Sequence, residues 1–336
     1  MLTAAFFVPE LAVQEREQCE DCADDVENEV EPIKLVHDIT PSLSRGKPTI
    51  SDLPRRIYHT FRNCSSVYEV NTMTTLRILI ENTAPDNLVA EHGLSFLVRT
   101  ATTEFVFDCG HTGAAFDNAK LLGEDLSAIK FAVLSHAHYD HAGGFVKLLE
   151  VAPIETVYTG ENFWDEKFSR DGDGYKYRGC GFDKNFLAAH NVEQKICRDV
   201  IELDSGAWLV GNFARRYDFE TVAKKFVKGA SKVPDDFGDE IALVLREGDG
   251  LAVVTACAHV GVLNIVADVA ERFNRRVLSV IGGLHLTGAS DERIARTLSE
   301  LKTLGVERIL PCHCSGEDFM QHFRERLTTG SVITIA

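Results

Sequence analysis

The chain has 336 residues, of which 45% are hydrophobic and 26% charged, and it carries a formal net charge of −16. That length supports a full hydrophobic core, and the composition is that of a soluble globular protein rather than a disordered or fibrous one. The charge is uneven: Glu10 to Glu31 holds ten acids against the single base Arg16, and the mildly acidic remainder lacks the clustered Lys and Arg that a phosphate backbone demands, which argues against a nucleic-acid partner.

The beginning, MLTAAFFVPE, has a short apolar run with no base before it and an acidic stretch after it, which makes a poor secretory signal. No apolar run is long enough to span a bilayer. Nine cysteines, an odd number without a disulfide-framework spacing, fit a reducing compartment. A cytoplasmic protein with no membrane partner is expected. Residues 1–70 read as an acidic extension, partly disordered or packed as an arm, in which Cys19 and Cys22 form a lone CxxC with no second pair nearby to complete a metal site.

From Thr75 the texture changes. Thr75 to Asn82, Gly93 to Thr100 and Glu104 to Gly110 are successive β-patterned runs separated by polar turns, and helical patterning follows over Ala114 to Gly123. Lys130 to Ser135 then reads as a buried strand, and Gly143 to Ala152 as a helix opening on a glycine pair. Between them lies LSHAHYDHAGG, Leu134 to Gly144, with His136, His138, Asp140 and His141. A strand-to-helix loop can aim such side chains at one point or two neighbouring ones, which suits one metal ion or a pair. Solvated loop histidines are the plain alternative.

The pattern becomes irregular over about 152–240, where Gly160 to Asp183 is rich in glycine, aromatic and charged residues. An insertion that covers the metal loop and shapes a pocket is expected there. Arg170, Lys176, Arg178, Arg215 and Arg216 could present an anion site, although solvent exposure is the expected fate of most of them and none is taken as a site residue. Order returns with Ile241 to Val266, a hairpin turning at Gly248 to Gly250, then a strand, His259 and a helix start. Arg276 to Leu286 is a further strand ending in Gly282, Gly283 and His285, and Val306 to Gly316 is one ending in Cys312, His313 and Cys314. Three separate strands thus each deliver a histidine at their C-terminal ends.

The HxHxDH pattern, with Ser135 before it and Gly143-Gly144 after it, resembles the first motif of the metallo-β-lactamase superfamily. His259 resembles its third motif and His313 its last. Ala90 to Val98, the FDCG turn with Asn118 downstream, and SHAHYDHAGG together resemble the branch of dihydropterin-ribofuranosyl-aminobenzene-phosphate-synthase-like metal-dependent hydrolases. The resemblance covers about 75–336. It implies an α/β fold, the four-layer αββα sandwich with two mixed sheets face to face and helices outside, occupying 71–336.

The same resemblance implies two divalent metal ions, one held by His136, His138 and His259 and the other by Asp140, His141 and His313. Asp108, at the FDxG aspartate position, would support the metal loop through a ligand histidine's free N–H. Imidazole and carboxylate donors suit zinc first, and also iron or manganese. Many members bridge their metals with an aspartate where this chain has His285, and a neutral imidazole cannot bridge two cations. His285 is therefore expected as a terminal ligand, a general acid or a substrate contact. Cys257, Cys312 and Cys314 could ligate as thiolates, but strand alternation would turn Cys312 and Cys314 away from the direction of His313, so they read as small buried apolar residues.

The chemistry implied is hydrolysis: two such ions lower the pKa of water and polarise the oxygen under attack, with Asp140 orienting the water and carrying its proton. A small phosphorylated or pterin-like substrate is favoured, with phosphoester or phosphodiester cleavage ahead of lactone, thioester or amide cleavage. A metal-stabilised binding or sensor protein without turnover is the alternative from another class. An oligomer is compatible with everything in the sequence.

Overall fold

The computed structural model describes residues 73–336, so the acidic extension and the Cys19–Cys22 pair lie outside the described residues. In chain order the strands are β1 (Thr74–Ile80), β2 (Ser95–Arg99), β3 (Glu104–Phe107), β4 (Phe131–Val133), β5 (Thr156–Gly160), β6 (Lys167–Asp171), β7 (Gly174–Tyr177), β8 (Glu193–Cys197) and β9 (Val200–Asp204). They continue as β10 (Ala207–Gly211), β11 (Phe226–Lys228), β12 (Val233–Pro234), β13 (Ile241–Glu247), β14 (Gly250–Thr255), β15 (Val277–Gly282), β16 (Arg308–Pro311) and β17 (Val332–Ile335). One sheet of seven strands has the order β17-β1-β2-β3-β4-β5-β8, and one of six has the order β16-β15-β14-β13-β10-β9.

Two periodicities build the layers. Along the strands, alternate residues face opposite sides. Ile78, Phe96, Val98 and Phe107 of the first sheet meet Leu243, Leu245, Val254 and Ile281 of the second in one buried cluster. The residues between them, Leu79, Leu97 and Val106, pack instead on Phe116, Phe145 and Leu148 of the helices Ala114–Leu121 and Phe145–Val151. On the far side, Leu251, Val253 and Val280 pack on Leu263, Val266 and Val269 of the helix Val262–Phe273 and on Leu301 of the helix Asp291–Thr303. Each sheet buries both faces and each helix one stripe, which is the expected αββα sandwich of mixed sheets.

Both sheets change from antiparallel to parallel pairing as they approach the histidine loops. β3 pairs β4, and β4 pairs β5, in parallel; so do β14 with β15 and β15 with β16. Parallel neighbours share a direction, so the loops after β3 and β4, and those after β14, β15 and β16, emerge together at strand C-terminal ends. That places every histidine of the sequence pattern on the same kind of loop.

The stretch 152–240 is more ordered than its sequence suggests. Its β5, β8, β9 and β10 belong to the two large sheets, while β12-β11-β6-β7 form a third, four-stranded sheet. These strands are short and β7 is exposed throughout, so neither length nor alternation announces them. The third sheet docks on the metal loop through a bridge between His138 and Gly179 and a hydrogen bond from Tyr139 N–H to the Arg178 carbonyl, 2.9 Å. Among the described residues no helix is long and apolar enough to cross a membrane.

Candidate metal centre

His136, His138 and His259 form a triangle of imidazoles, with ring centroids 4.8, 4.9 and 4.9 Å apart. His136 Nε2, His138 Nε2 and both ring nitrogens of His259 are buried without a hydrogen-bond partner. Each such nitrogen costs roughly 1–3 kcal/mol if left unsatisfied, so several on neighbouring rings are what a cation relieves; donor atoms of His136 and His259 lie within 4.8 Å of each other and of Cys257, a group that does not include His138. Burial drives the pKa of His138 down to about 3 and holds His136 and His259 well below the usual imidazole range, with the neighbouring imidazoles adding to the effect for the latter two. All three are therefore neutral, with lone pairs free for a metal.

A second cluster adjoins the first. His141 Nε2 and His313 Nε2 lie 3.2 Å apart, and Asp140 Oδ2 lies 3.8 Å from the one and 3.6 Å from the other. Two nitrogens bound to one tetrahedral zinc at about 2.1 Å sit about 3.4 Å from each other, so the spacing fits an ion between them. Burial works against the Asp140 charge, but His141, His313 and His92 outweigh it and hold the carboxyl well below the usual range. The turn that sets this geometry is a short helix, Tyr139–Ala142, where the sequence suggested only a loop. Gly144 lets it close on the FDCG turn, because a Cβ there would lie 2.0 Å from the Cys109 carbonyl oxygen.

Buried carboxylates hold the histidine-bearing loops from behind. Asp108 accepts from Ser135 N–H and Ser135 Oγ, both at 2.7 Å, and from His141 Nδ1 at 2.8 Å, which leaves His141 Nε2 free. Asp239 accepts from Ala137 N–H at 2.9 Å. Glu240 accepts from the N–H groups of His259 and Val260 at 2.9 and 2.7 Å. Glu81 accepts from His313 N–H at 2.7 Å, while Asn82 Oδ1 faces His313 Nδ1 at 3.0 Å. Phe237 stacks on His259 at 3.8 Å between centroids, and buried Lys167 ties Asp235 to Asp239. Of these supports the sequence pointed only to Asp108.

These contacts hold an unfavourable backbone. Asp108, Ala258, His285 and His313, one on each of four strand-end loops, have φ between 51° and 58°, a region costly for residues with a Cβ unless the surroundings fix it. His313 also opens the 3₁₀ turn His313–Ser315, so strand alternation stops at Pro311 and the expectation for the cysteines needs correcting. Cys312 does pack in the inter-sheet core. Cys314 turns towards His285 and Cys257, whose sulfurs and ring share one group of donor atoms within 4.8 Å, and Cys257 Sγ lies 3.2 Å from His141 Nε2.

His285 lies beside the triangle, its ring 4.2 Å from that of His259, with Nδ1 buried and unpartnered. Its approach depends on Gly283, where a Cβ would lie 2.1 Å from the Ala256 carbonyl oxygen. His92, which the sequence reading assigned no role, stands over the other cluster: its Nε2 is 3.1 Å from Asp140 Oδ2 and its ring stacks on that of His313. A cavity of about 590 Å³ is lined by His138, Asp140, His259, His285 and His313 together with Arg170, Lys176, Arg178 and Lys225. Arg215 and Arg216 face elsewhere, to the backbone of Val260 and to Asp268 and Glu271.

Known proteins are similar to this chain in sequence and in fold. The metallo-beta-lactamase superfamily profile matches residues 88–313. The 7,8-dihydropterin-6-methyl-4-(beta-D-ribofuranosyl)-aminobenzene-5'-phosphate synthase of Methanocaldococcus jannaschii is 30% identical over 267 residues, 73% of this chain and 90% of that protein. The uncharacterized protein MJ0448 of the same organism is 27% identical over 72% of this chain and 90% of its own length. The crystal structure of Tm1679, a metal-dependent hydrolase of the beta-lactamase superfamily, superposes with a TM-score of 0.68 at 31% identity, covering 79% of this chain and 99% of that one. Profile, relatives and fold agree on one assignment: the chain belongs to the metallo-beta-lactamase superfamily.

Proposed function

We propose that the chain is a metal-dependent hydrolase of a small phosphorylated substrate, cleaving a phosphoester or phosphodiester bond. The superfamily consists mostly of metal-dependent hydrolases and its fold implies divalent-metal binding. The observation that carries the finer reading is the composition of one cavity. The bases Arg170, Lys176, Arg178 and Lys225 line it together with the histidines, against the acids Asp171 and Asp140 in the same lining. A wall of that sign concentrates a dianion at the histidines. Arg178 is the best fixed of the four, its Nε donating to Ser169 Oγ at 2.9 Å while its carbonyl holds Tyr139 N–H. Phe226 and Tyr139 offer aromatic faces to a flat ring in the same space.

In this reading His136, His138 and His259 hold one divalent ion and Asp140, His141 and His313 the other, with zinc the first choice for these donors and iron or manganese also compatible. Such ions supply Lewis acidity and bring the pKa of water near neutrality. Asp140, kept ionised, orients the attacking water and takes its proton. His285, facing the cavity, gives a proton to the leaving oxygen. The relative named as a synthase favours a second reading, condensation to a pterin-bearing 5'-phosphate, which predicts turnover only when both substrates are supplied.

The test is a panel of phosphomonoesters, phosphodiesters, lactones, thioesters and amides given singly to the metal-loaded protein and to Arg178→Ala. The reading expects turnover of a phosphorylated substrate, and KM at least about 10-fold higher in the variant with kcat little changed. Turnover confined to unphosphorylated substrates, or an unmoved KM, would exclude it.

A further inference from the structure

The two adjoining groups of donor atoms have one member in common, Cys257. We infer that Cys257 acts as a thiolate shared between the two ion positions, an inference that rests on the metal-centre reading above.

Three observations meet at this sulfur. Cys257 belongs at once to the group with His136 and His259 and to the group with His141 and His313, and within each group the donor atoms all lie within 4.8 Å of one another. Its Sγ is 3.2 Å from His141 Nε2; two donors at about 2.1 and 2.3 Å from one tetrahedral zinc sit about 3.6 Å apart, so sulfur and nitrogen fit one ion. The other buried cysteines sort differently. Cys109, Cys180, Cys197 and Cys312 pack within hydrophobic clusters, whereas Cys257, only 3% exposed, belongs to none of the three and faces imidazoles. Cys314, the other cysteine outside them, has its sulfur engaged with backbone, accepting from His285 N–H at 3.3 Å and donating to the Cys257 carbonyl at 3.4 Å.

The buried, unpartnered nitrogens of His136 and His259 point to an ion on one side of Cys257, and the His141–His313 pair points to one on the other. A thiol between two cations gives up its proton to solvent, and the sulfur, with three lone pairs and a full negative charge, binds both. Backbone geometry brings it there: β14 ends at Thr255, and Ala258 in the left-handed region turns Cys257 and His259 to the same side.

Cadmium-113 resonance of the full chain, with cadmium counted per chain, tests this directly, because a sulfur ligand moves a cadmium signal far downfield of an all-nitrogen and oxygen site. The expected result is two signals, both displaced downfield, both returning upfield in Cys257→Ser and both unmoved in Cys314→Ser. Two bound ions of which only one, or neither, is displaced would overturn the bridge while leaving the metal-centre reading intact; so would displacement lost in Cys314→Ser instead. A chain that binds no cadmium would overturn both. The wild-type spectrum decides by itself should Cys257→Ser fail to fold.

Discussion

His141 Nδ1 lies 2.8 Å from Asp108 Oδ2, and neither side chain has any exposed surface. The contact fixes which nitrogen of His141 faces the metal cluster, and Asp108 accepts two further bonds from Ser135 with its remaining capacity. Asp108→Asn would present an N–H₂ group to at least one of these donors. We expect metal affinity to fall roughly 10–100-fold and stability to fall by about 1–3 kcal/mol, measured by competition with a chelator and by urea unfolding of the metal-free protein.

The buried triangle predicts an unusual pH dependence. An imidazole with the ordinary pKa of 6.5 loses about 25-fold in metal affinity between pH 7 and pH 5, because protons compete for its lone pair. Burial lowers His138 to about 3 and moves His136 and His259 in the same direction, so protons do not compete in that window. In Cys257→Ser, which lacks the thiol proton that binding would otherwise release, the affinity of the first ion, corrected for the chelator's own titration, should change by less than about 10-fold from pH 7 to pH 5. A loss of thousands-fold would show that these histidines titrate normally.

Lys167 is buried between Asp235 and Asp239, with Nζ 3.0 and 2.6 Å from their oxygens. Burial opposes its charge, but the two carboxylates outweigh that and raise its pKa. Lys167→Met leaves both acids unpaired and should cost roughly 3–5 kcal/mol in urea unfolding, with part recovered in the double variant Lys167→Met/Asp239→Asn. Since Asp239 also holds Ala137 N–H, the single variant should bind its first metal more weakly as well.

His92 touches Asp140 and stacks on His313, yet its side chain is 58% exposed and faces the cavity. His92→Ala should therefore keep its metal content while kcat falls roughly 10-fold or more; loss of metal instead would make His92 a ligand.

Much of this was legible in the sequence because it is local. Strand and helix patterning predicted α/β layers and the family resemblance the four-layer sandwich, and the spacing of His136, His138, Asp140 and His141 on one strand-to-helix turn marked the candidate centre. What the sequence hid is non-local or conformational. Glu81 meets His313 across 232 positions, and a lone glutamate near a strand end carries no local sign of that partner. Lys167 looks like any surface lysine until the third sheet buries it. Cys312 packs in the core as alternation predicts, whereas Cys314 escapes that rule because the strand gives way after Pro311 to a turn opened by His313 with φ 52°, and nothing local shows where Cys257 points.

In the proposed function the two histidine clusters together form the metal centre on which turnover depends. Its most direct test is the count of metal ions per chain, by elemental analysis, alongside phosphoester turnover in wild type and His313→Ala. About two ions are expected in wild type and about one in the variant, with turnover down at least about 100-fold and the fold retained. Unchanged metal content and unchanged turnover in His313→Ala would contradict it.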